Sequence, residues 1–333
     1  MNFKFSIIIP VYNRPDELYD LLLSISEQDF NDNFQVIVVE DGSSVTSENV
    51  VKEFSPKLSI SYFFKENSGP GNSRNYGMER ANGNYFIILD SDCILPKHYL
   101  TEVYKTLQNN FTDAYGGADA SDNSFTNIQK AISYAMTSVL TTGGIRGNKN
   151  VKKFQPRSFN MGLSKKAFEA VGGFSKMNYG EDIDLTLRLW ENNFKTQFIE
   201  NAFVYHKRRT NWKSFFKQTF NFGAARPILN ILHKGTSKIT YWFPLFYVVF
   251  VLLSIVTFLL GETLFLWMLA VYFLLIFIDS LIKNKNLIVA FMSFFSVNVM
   301  FFGYGLGFLR SIIRLKLFGQ QKEKVFPKMF SKV

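Results

Sequence analysis

Tyr85-Phe86-Ile87-Ile88-Leu89-Asp90-Ser91-Asp92 decides how the N-terminal part of the chain is read. An unbroken apolar run of this length, rich in residues that favour extended backbone, predicts a strand buried on both faces, the signature of a parallel sheet. It stops at two carboxylates spaced by one serine. Working outward, Phe3–Val11 is a similar run stopped by Asn13-Arg14-Pro15, and Phe34–Glu40 is another that ends in Asp41-Gly42-Ser43-Ser44. Between them Pro15 suits the first turn of a helix reaching to Gln28, with Leu18, Leu21, Leu22 and Ile25 on one face. Leu58–Phe64 alternates like a strand and Pro70–Asn82 has a helical pattern. Strands alternating with helices predict an α/β, Rossmann-like domain with a mostly parallel sheet whose ligands gather at the strands' carboxyl ends. Asn13, Asp41 and Asp90 all fall at such ends.

Paired carboxylates at a strand end suit a hard divalent cation such as Mg²⁺ or Mn²⁺, which takes oxygen ligands from protein and substrate phosphate. A D-x-D also occurs in ordinary surface turns, but the buried strand before Asp90 and Asp92 favours the metal. Asp41 can accept from a base imide or ribose hydroxyl, or can belong to a plain Asp-Gly turn. Asn67 to Asn75 forms a turn opening a helix, where N–H groups attract phosphate and Arg74 can make a bidentate contact; the alternative is an arginine on a solvated face. Glu181-Asp182 opens a further helix, either as capping acids or as a general base for an acceptor hydroxyl. His206 closes the strand-like Ala202–Tyr205, and is either a packed side chain or a metal ligand.

Beyond Asp92 helices are expected at Lys97–Gln108, Ser164–Val171 and Glu181–Asn193, and the glycine-rich, basic Thr141–Pro156 is expected to be mobile. The composition then changes. From Thr240 to Leu309 the only charged residues are Glu262, Asp279, Lys283 and Lys285. Trp242–Leu260, Thr263–Ile282 and Leu287–Leu309 would each be roughly 28–35 Å long as helices, enough for a hydrocarbon core. Asn298 and the series Gly303, Gly305, Gly307 make the third stretch the expected non-spanner. The net charge of +10 is concentrated beside this region, at Lys207–Lys217 and Arg310–Lys332, as suits an anionic leaflet rather than nucleic acid. The single cysteine, Cys93, excludes an intrachain disulfide, and the strand-like start does not look like a signal peptide. These features predict a globular domain over residues 1–206 on the cytoplasmic side of the plasma membrane, a basic amphipathic interfacial linker at 207–239, two or three membrane helices within 240–309, and a basic tail at 310–333.

Together the segments resemble family-2 glycosyltransferases of the GT-A fold. The resemblance runs in family order over about residues 3 to 206: Phe5 to Arg14, Val38 to Ser43, Glu66 to Gly71, Arg74 to Gly77, Leu89 to Asp92, Asn160-Met161-Gly162, Gly172-Gly173-Phe174, and Glu181 to Leu185. It implies an inverting transfer from a nucleotide-diphosphate sugar. Pro10 and Val11 would wall the base pocket, Asn13 and Asp41 would belong to the nucleotide site, and Asp90 would lie near ribose and metal. Asp92 would be the main metal ligand and Asp182 the base, supported by Glu181. Arg74 and Asn160 would contact diphosphate or substrate.

The chain departs from the family pattern at Glu40, where aspartate is commoner, at Cys93, where another aspartate is frequent, and at Ser175-Lys176. The Q-x-x-R-W signature of processive synthases is absent, which favours transfer of one or a few sugars. The expected acceptor is a lipid-linked glycan in cell-envelope polysaccharide synthesis. The alternatives are transfer to polyprenyl phosphate, or a non-catalytic membrane scaffold that binds a nucleotide sugar. Retention of Asp41, Asp90, Asp92 and Asp182 argues against the scaffold.

Overall fold

The computed structural model describes residues 2–120, 125–143 and 153–330. Most of the stretch expected to be mobile, residues 144–152, lies outside them. The chain divides into two compact units, one of Met1–Asp122, Gly147–His206 and Phe330–Val333, the other of Asn123–Arg146 and Lys207–Met329. The segment 123–146, which the sequence places inside the globular domain, thus clusters with the helical region.

In the first unit the strands are β1 (Phe5–Val11), β2 (Gln35–Asp41), β3 (Ile60–Lys65), β4 (Tyr85–Leu89), β5 (Cys93–Ile94), β6 (Ala114–Ala120), β7 (Asn160–Ser164) and β8 (Thr196–His206). They form one sheet in the order β3-β2-β1-β4-β7-β6-β8-β5. The first four are parallel, as the apolar runs predict. Beyond β4 the sheet turns mixed, because β7 runs antiparallel to both β4 and β6. Side chains of the central strands alternate between two buried faces: Ile7, Ile9, Val36, Val38 and Ile87 enter one core, and Ile8, Ile37, Val39, Phe86 and Ile88 the other. That two-sided burial is why these strands read as continuous apolar runs.

The helices of this unit are α1 (Pro15–Ser26), α2 (Glu48–Phe54), α3 (Pro70–Glu79) and α4 (Tyr99–Asn109), followed after the segment of the second unit by α7 (Lys165–Val171) and α8 (Glu181–Glu191). α1 buries Leu18, Leu21, Leu22 and Ile25. α3 has little apolar surface and packs instead by closeness. A Cβ on Gly77 would stand 2.7 Å from Ile8 Cγ2 and 3.2 Å from Val39 Cγ2, so only glycine admits the helix at this depth.

The second unit holds α5 (Asn127–Thr137), α6 (Val139–Thr142), α9 (Trp212–Leu232), α10 (Phe243–Leu259), α11 (Leu264–Asn284), α12 (Leu287–Ser311) and α13 (Lys322–Val325). Among the described residues, three helical stretches are long and apolar enough to cross a membrane: Ile239–Leu259, Leu264–Asn284 and Leu287–Leu317, with mean hydropathies of 2.4, 2.3 and 1.9. The third, which carries Asn298 and the glycines, is also long and apolar enough, and it is more buried within the protein than the other two, 44% against 22% and 17%. Asn298 Oδ1 accepts from the Tyr247 hydroxyl at 2.7 Å and its Nδ2 donates to Phe294 O at 2.9 Å, so the amide is satisfied without breaking the helix. Gly303 and Gly307 form a seam against α9, where a Cβ on Gly303 would lie 2.1 Å from Thr219 Oγ1 and one on Gly307 2.0 Å from Phe220 O, while Gly305 faces Pro244 of α10. α9 is a packed helix, burying Phe215, Thr219, Gly223, Ala224 and Ala225. Lys213 and Lys217 are exposed, whereas Arg208 before it is buried.

Candidate active site

The carboxyl ends of β1 and β2 carry the first cluster. Asn13 adopts φ +54, a left-handed conformation that asparagine tolerates. Its Oδ1 accepts from the backbone N–H of Ser44 at 2.8 Å and of Val45 at 3.0 Å, clamping the turn after β2. Glu40, fully buried, secures the same turn by accepting from the Ser43 hydroxyl and, at 2.7 Å, from Ser47 N–H. The Asp41 carboxylate faces the β3–α3 loop. It pairs with Lys65 Nζ and accepts from Ser68 N–H and Gly69 N–H, each at 2.9 Å. Gly42 has φ +72, and a Cβ there would meet Asn67 N at 2.6 Å, so the turn and the loop touch only through glycine. Pro10 and Val11 are buried in β1, with Val11 in the core; the exposed aromatic at this end is Tyr12, at 52%.

At the end of β4 a buried arginine bridges two carboxylates. Arg74 is neither on a solvated face nor open to phosphate along its whole fork. Its side chain is 3% exposed, Nη2 donates to Asp90 Oδ1 at 2.6 Å, and Nη1 donates to Glu181 Oε1 at 3.1 Å. Its guanidinium lies 5.1 Å from the centre of the Phe174 ring. One residue of α3 thus ties the D-x-D turn to the start of α8. Burial, with the neighbouring Asp182 charge second, pushes the Glu181 carboxyl up to about 7, and Arg74 only partly opposes this.

Two residues on, Asp92 meets a partner from the far end of the unit. β5 pairs antiparallel with β8 so that Cys93 stands opposite His206, and His206 Nε2 lies 3.2 Å from Asp92 Oδ1. The imidazole stacks on Phe159 at 4.5 Å between ring centres. Ligand atoms of Asp92, Cys93 and His206 all fall within 4.8 Å of one another. Cys93 is a poor third donor: burial, aided by Asp92, pushes its thiol well up, and Sγ donates to Phe159 O at 3.4 Å. The remaining carboxylate and imidazole donors fit Mn²⁺ or Mg²⁺ better than a soft, thiolate-seeking metal. Asp90 stands outside this close group, held by Arg74.

Asp182 and Asn160 occupy different surroundings. Asp182 follows Glu181 in the first turn of α8; its Oδ1 accepts from Ile183 N–H at 2.8 Å and its Oδ2 lies 3.6 Å from Arg157 Nη1. Asn160 is fully buried: Oδ1 accepts from the Tyr99 hydroxyl at 2.7 Å, while Nδ2 donates to Ala202 O at 2.8 Å and Ala118 O at 3.2 Å. Its amide is spent within the protein, where it braces β6, β7 and β8 instead of facing a ligand. Three further cations, without a role in the motifs, stand at the site: Lys65 at Asp41, Arg157 at Asp182, and Arg14, 3.6 Å from Asp92. Arg14 and Lys65 each border a polar strand end, and that proximity is their signal in the sequence. Arg157 has none.

Comparison with known proteins gives the arrangement a context. The model of the family described as Glycosyl transferase family 2 matches residues 6–172. The chain is 26% identical over 86% of its length, and 90% of the relative's, to a Methanococcus voltae protein. That relative is named dolichyl N-acetyl-alpha-D-glucosaminyl phosphate 3-beta-D-2,3-diacetamido-2,3-dideoxy-beta-D-glucuronosyltransferase. This chain is also 32% identical over 33% of its length to poly(ribitol-phosphate) beta-N-acetylglucosaminyltransferase TarS of Staphylococcus aureus, but spans only 20% of that protein. Among solved structures, mannosyltransferase PcManGT of Pyrobaculum calidifontis, in complex with GDP-Man and Mn²⁺, aligns over 94% of this chain and 88% of its own with a TM-score of 0.60 at 15% identity. TarS 1-349 of S. aureus with UDP-GlcNAc aligns over 95% and 92% with a TM-score of 0.51 at 18% identity. These likenesses show a GT-A fold.

Proposed function

The chain belongs to glycosyl transferase family 2, and from that premise we propose that it moves a sugar from a nucleotide diphosphate to a lipid-linked glycan acceptor, with inversion, at the plasma membrane. The observation that carries this reading is the Arg74 bridge, which fixes the D-x-D turn and the Glu181-Asp182 helix start in one rigid frame. A donor's leaving group and an acceptor's base must be held in such a fixed relation. The nucleotide would lie over the carboxyl ends of β1 and β2, where Asp41 orders the β3–α3 loop and Asn13 orders the turn facing it. Asp92 and His206 would hold Mn²⁺ or Mg²⁺, while Asp90, tied to Arg74, would keep the D-x-D turn in place. Such an ion acts as a Lewis acid that neutralises charge on the departing diphosphate.

Asp182 would take the proton of the acceptor hydroxyl as its oxygen bonds to the anomeric carbon. The bond from that carbon to the diphosphate oxygen breaks, its electron pair leaving with the nucleoside diphosphate. Asp182 suits this role better than Glu181, which is buried against Arg74 and raised toward protonation. Asn160 acts as a positioning residue behind these groups. A lipid-linked acceptor is supported by the three apolar helices and by the M. voltae relative, which aligns across most of the chain and is named for a dolichyl-linked acceptor. The basic, aromatic face of the segment after β8 would keep the sheet unit near the cytoplasmic leaflet. The test is a panel of nucleotide sugars given to the purified full chain with Mn²⁺ and lipid-linked acceptors. Release of nucleoside diphosphate that depends on acceptor supports the proposal, and absence of release across the panel overturns it.

A further inference from the structure

The C-terminal end of α12 takes no part in the proposed transfer. After Ser311 the helix loosens into a π-helical turn, Ile312–Leu317, and Gly319, at φ +58, reverses the chain. Gln320 N–H then donates back to Arg314 O at 3.0 Å, and α13 folds beside the helix end. The reversal encloses a cavity of ≈ 590 Å³ lined by Arg310, Arg314, Gln320, Gln321 and Lys324. Among the described residues no carboxylate lies within 4.0 Å of any of these three cations. Like charges that converge on one concavity repel unless an anion joins them. The two glutamine amides add neutral donors, and the arginines offer planar forks that match phosphate oxygens.

What distinguishes a lipid phosphate from a free one is the surface next to the cavity. Leu317 and Phe318, in the same turn, are 73% and 62% exposed, and α12 itself is apolar enough to cross a membrane. A soluble anion gives these side chains no partner, whereas an acyl chain does. We propose that this cavity binds the phosphate of an anionic phospholipid headgroup, with the lipid's chains lying along Leu317 and Phe318. The site is separate from the transfer chemistry, and its test reads lipid binding alone, so its failure would leave the glycosyltransferase reading untouched.

The experiment titrates the detergent-solubilised full chain with phosphatidylglycerol and phosphatidylcholine labelled on the acyl chain, with inorganic phosphate as competitor. The chain should prefer phosphatidylglycerol. The double variant R310Q/R314Q should weaken that binding about 30-fold, the share of two cations facing an anionic surface. K316Q/K328Q removes the same charge outside the cavity, where salt screens it from the bound phosphate, and should leave binding within about twofold. If the arginine variant fails to fold, K324Q alone should cost about fivefold. Equal weakening by both double variants would reduce the effect to diffuse charge and overturn the site. So would unchanged binding in the arginine variant, or displacement of the lipid by inorganic phosphate at equal concentration.

Discussion

His206 Nε2 lies 3.2 Å from Asp92 Oδ1, although β8 carries the histidine far along the chain from the D-x-D turn. The pairing of β5 with β8 brings them together and the Phe159 ring fixes the imidazole plane. Their ligand atoms are close enough to meet on one ion.

Replacing either residue should therefore weaken metal binding. His206→Ala is expected to reduce Mn²⁺ affinity by about tenfold or more, and Asp92→Asn by at least as much. Mn²⁺ binding followed by electron paramagnetic resonance checks this without relying on turnover. Unchanged Mn²⁺ affinity in both variants would remove the metal from this position.

Asp182→Asn should lower kcat by about 10² or more with donor KM little altered, because the lost group acts on the acceptor proton in the transition state. Steady-state kinetics with donor and acceptor varied separately distinguish the roles. A matching rise in donor KM would move Asp182 into the nucleotide site.

Arg74→Ala should destabilise the sheet unit by about 3–5 kcal/mol, since it removes one partner of a buried ion network and leaves Asp90 and Glu181 facing each other. Thermal unfolding measures the loss. Were Arg74 only a phosphate contact, the unliganded protein would melt unchanged and only donor binding would suffer.

Glu181 gives a pH dependence of definite sign. Its folded-state carboxyl is raised from the ordinary 4.5 to about 7, chiefly by burial. The folded protein therefore holds this proton more tightly than the unfolded chain. The resulting stabilisation is full below about 4.5 and is lost as pH rises through about 7. Glu181→Gln should remove that part of the decline, so the melting temperatures of variant and parent should diverge in the variant's favour as pH rises from 5 to 8. Parallel curves across that range would contradict the assignment.

Gly307→Ala probes the α9–α12 seam. The added methyl would stand 2.0 Å from Phe220 O, a backbone atom that cannot rotate away. A loss of about 1–3 kcal/mol in detergent unfolding is expected from such overpacking. An unperturbed melt would mean that the helices do not pack at this depth.

The sequence by itself determined the parallel half of the sheet and the positions of its acidic ends. β1, β2 and β4 are buried on both faces, so each reads as an apolar run, and the polar residue that stops each run marks a strand's carboxyl end. Asp41, Asp90 and Asp92 were legible for that reason, as were the three long apolar helices. Nothing local disclosed β5, a strand of two residues, or β6, whose Gly116 and Gly117 leave room for Phe154, Pro156 and Asn160. What each site residue touches was decided only by the tertiary structure. Arg74 could be read as a solvated or phosphate-binding cation until folding buried it between Asp90 and Glu181. Asn160 could be read as a ligand contact until β6 and β8 closed on its amide. A hydrophobic run records its own burial because every residue in it must be apolar. A polar side chain keeps no local record of its partner, because that partner is set by strand order and register across the whole sheet.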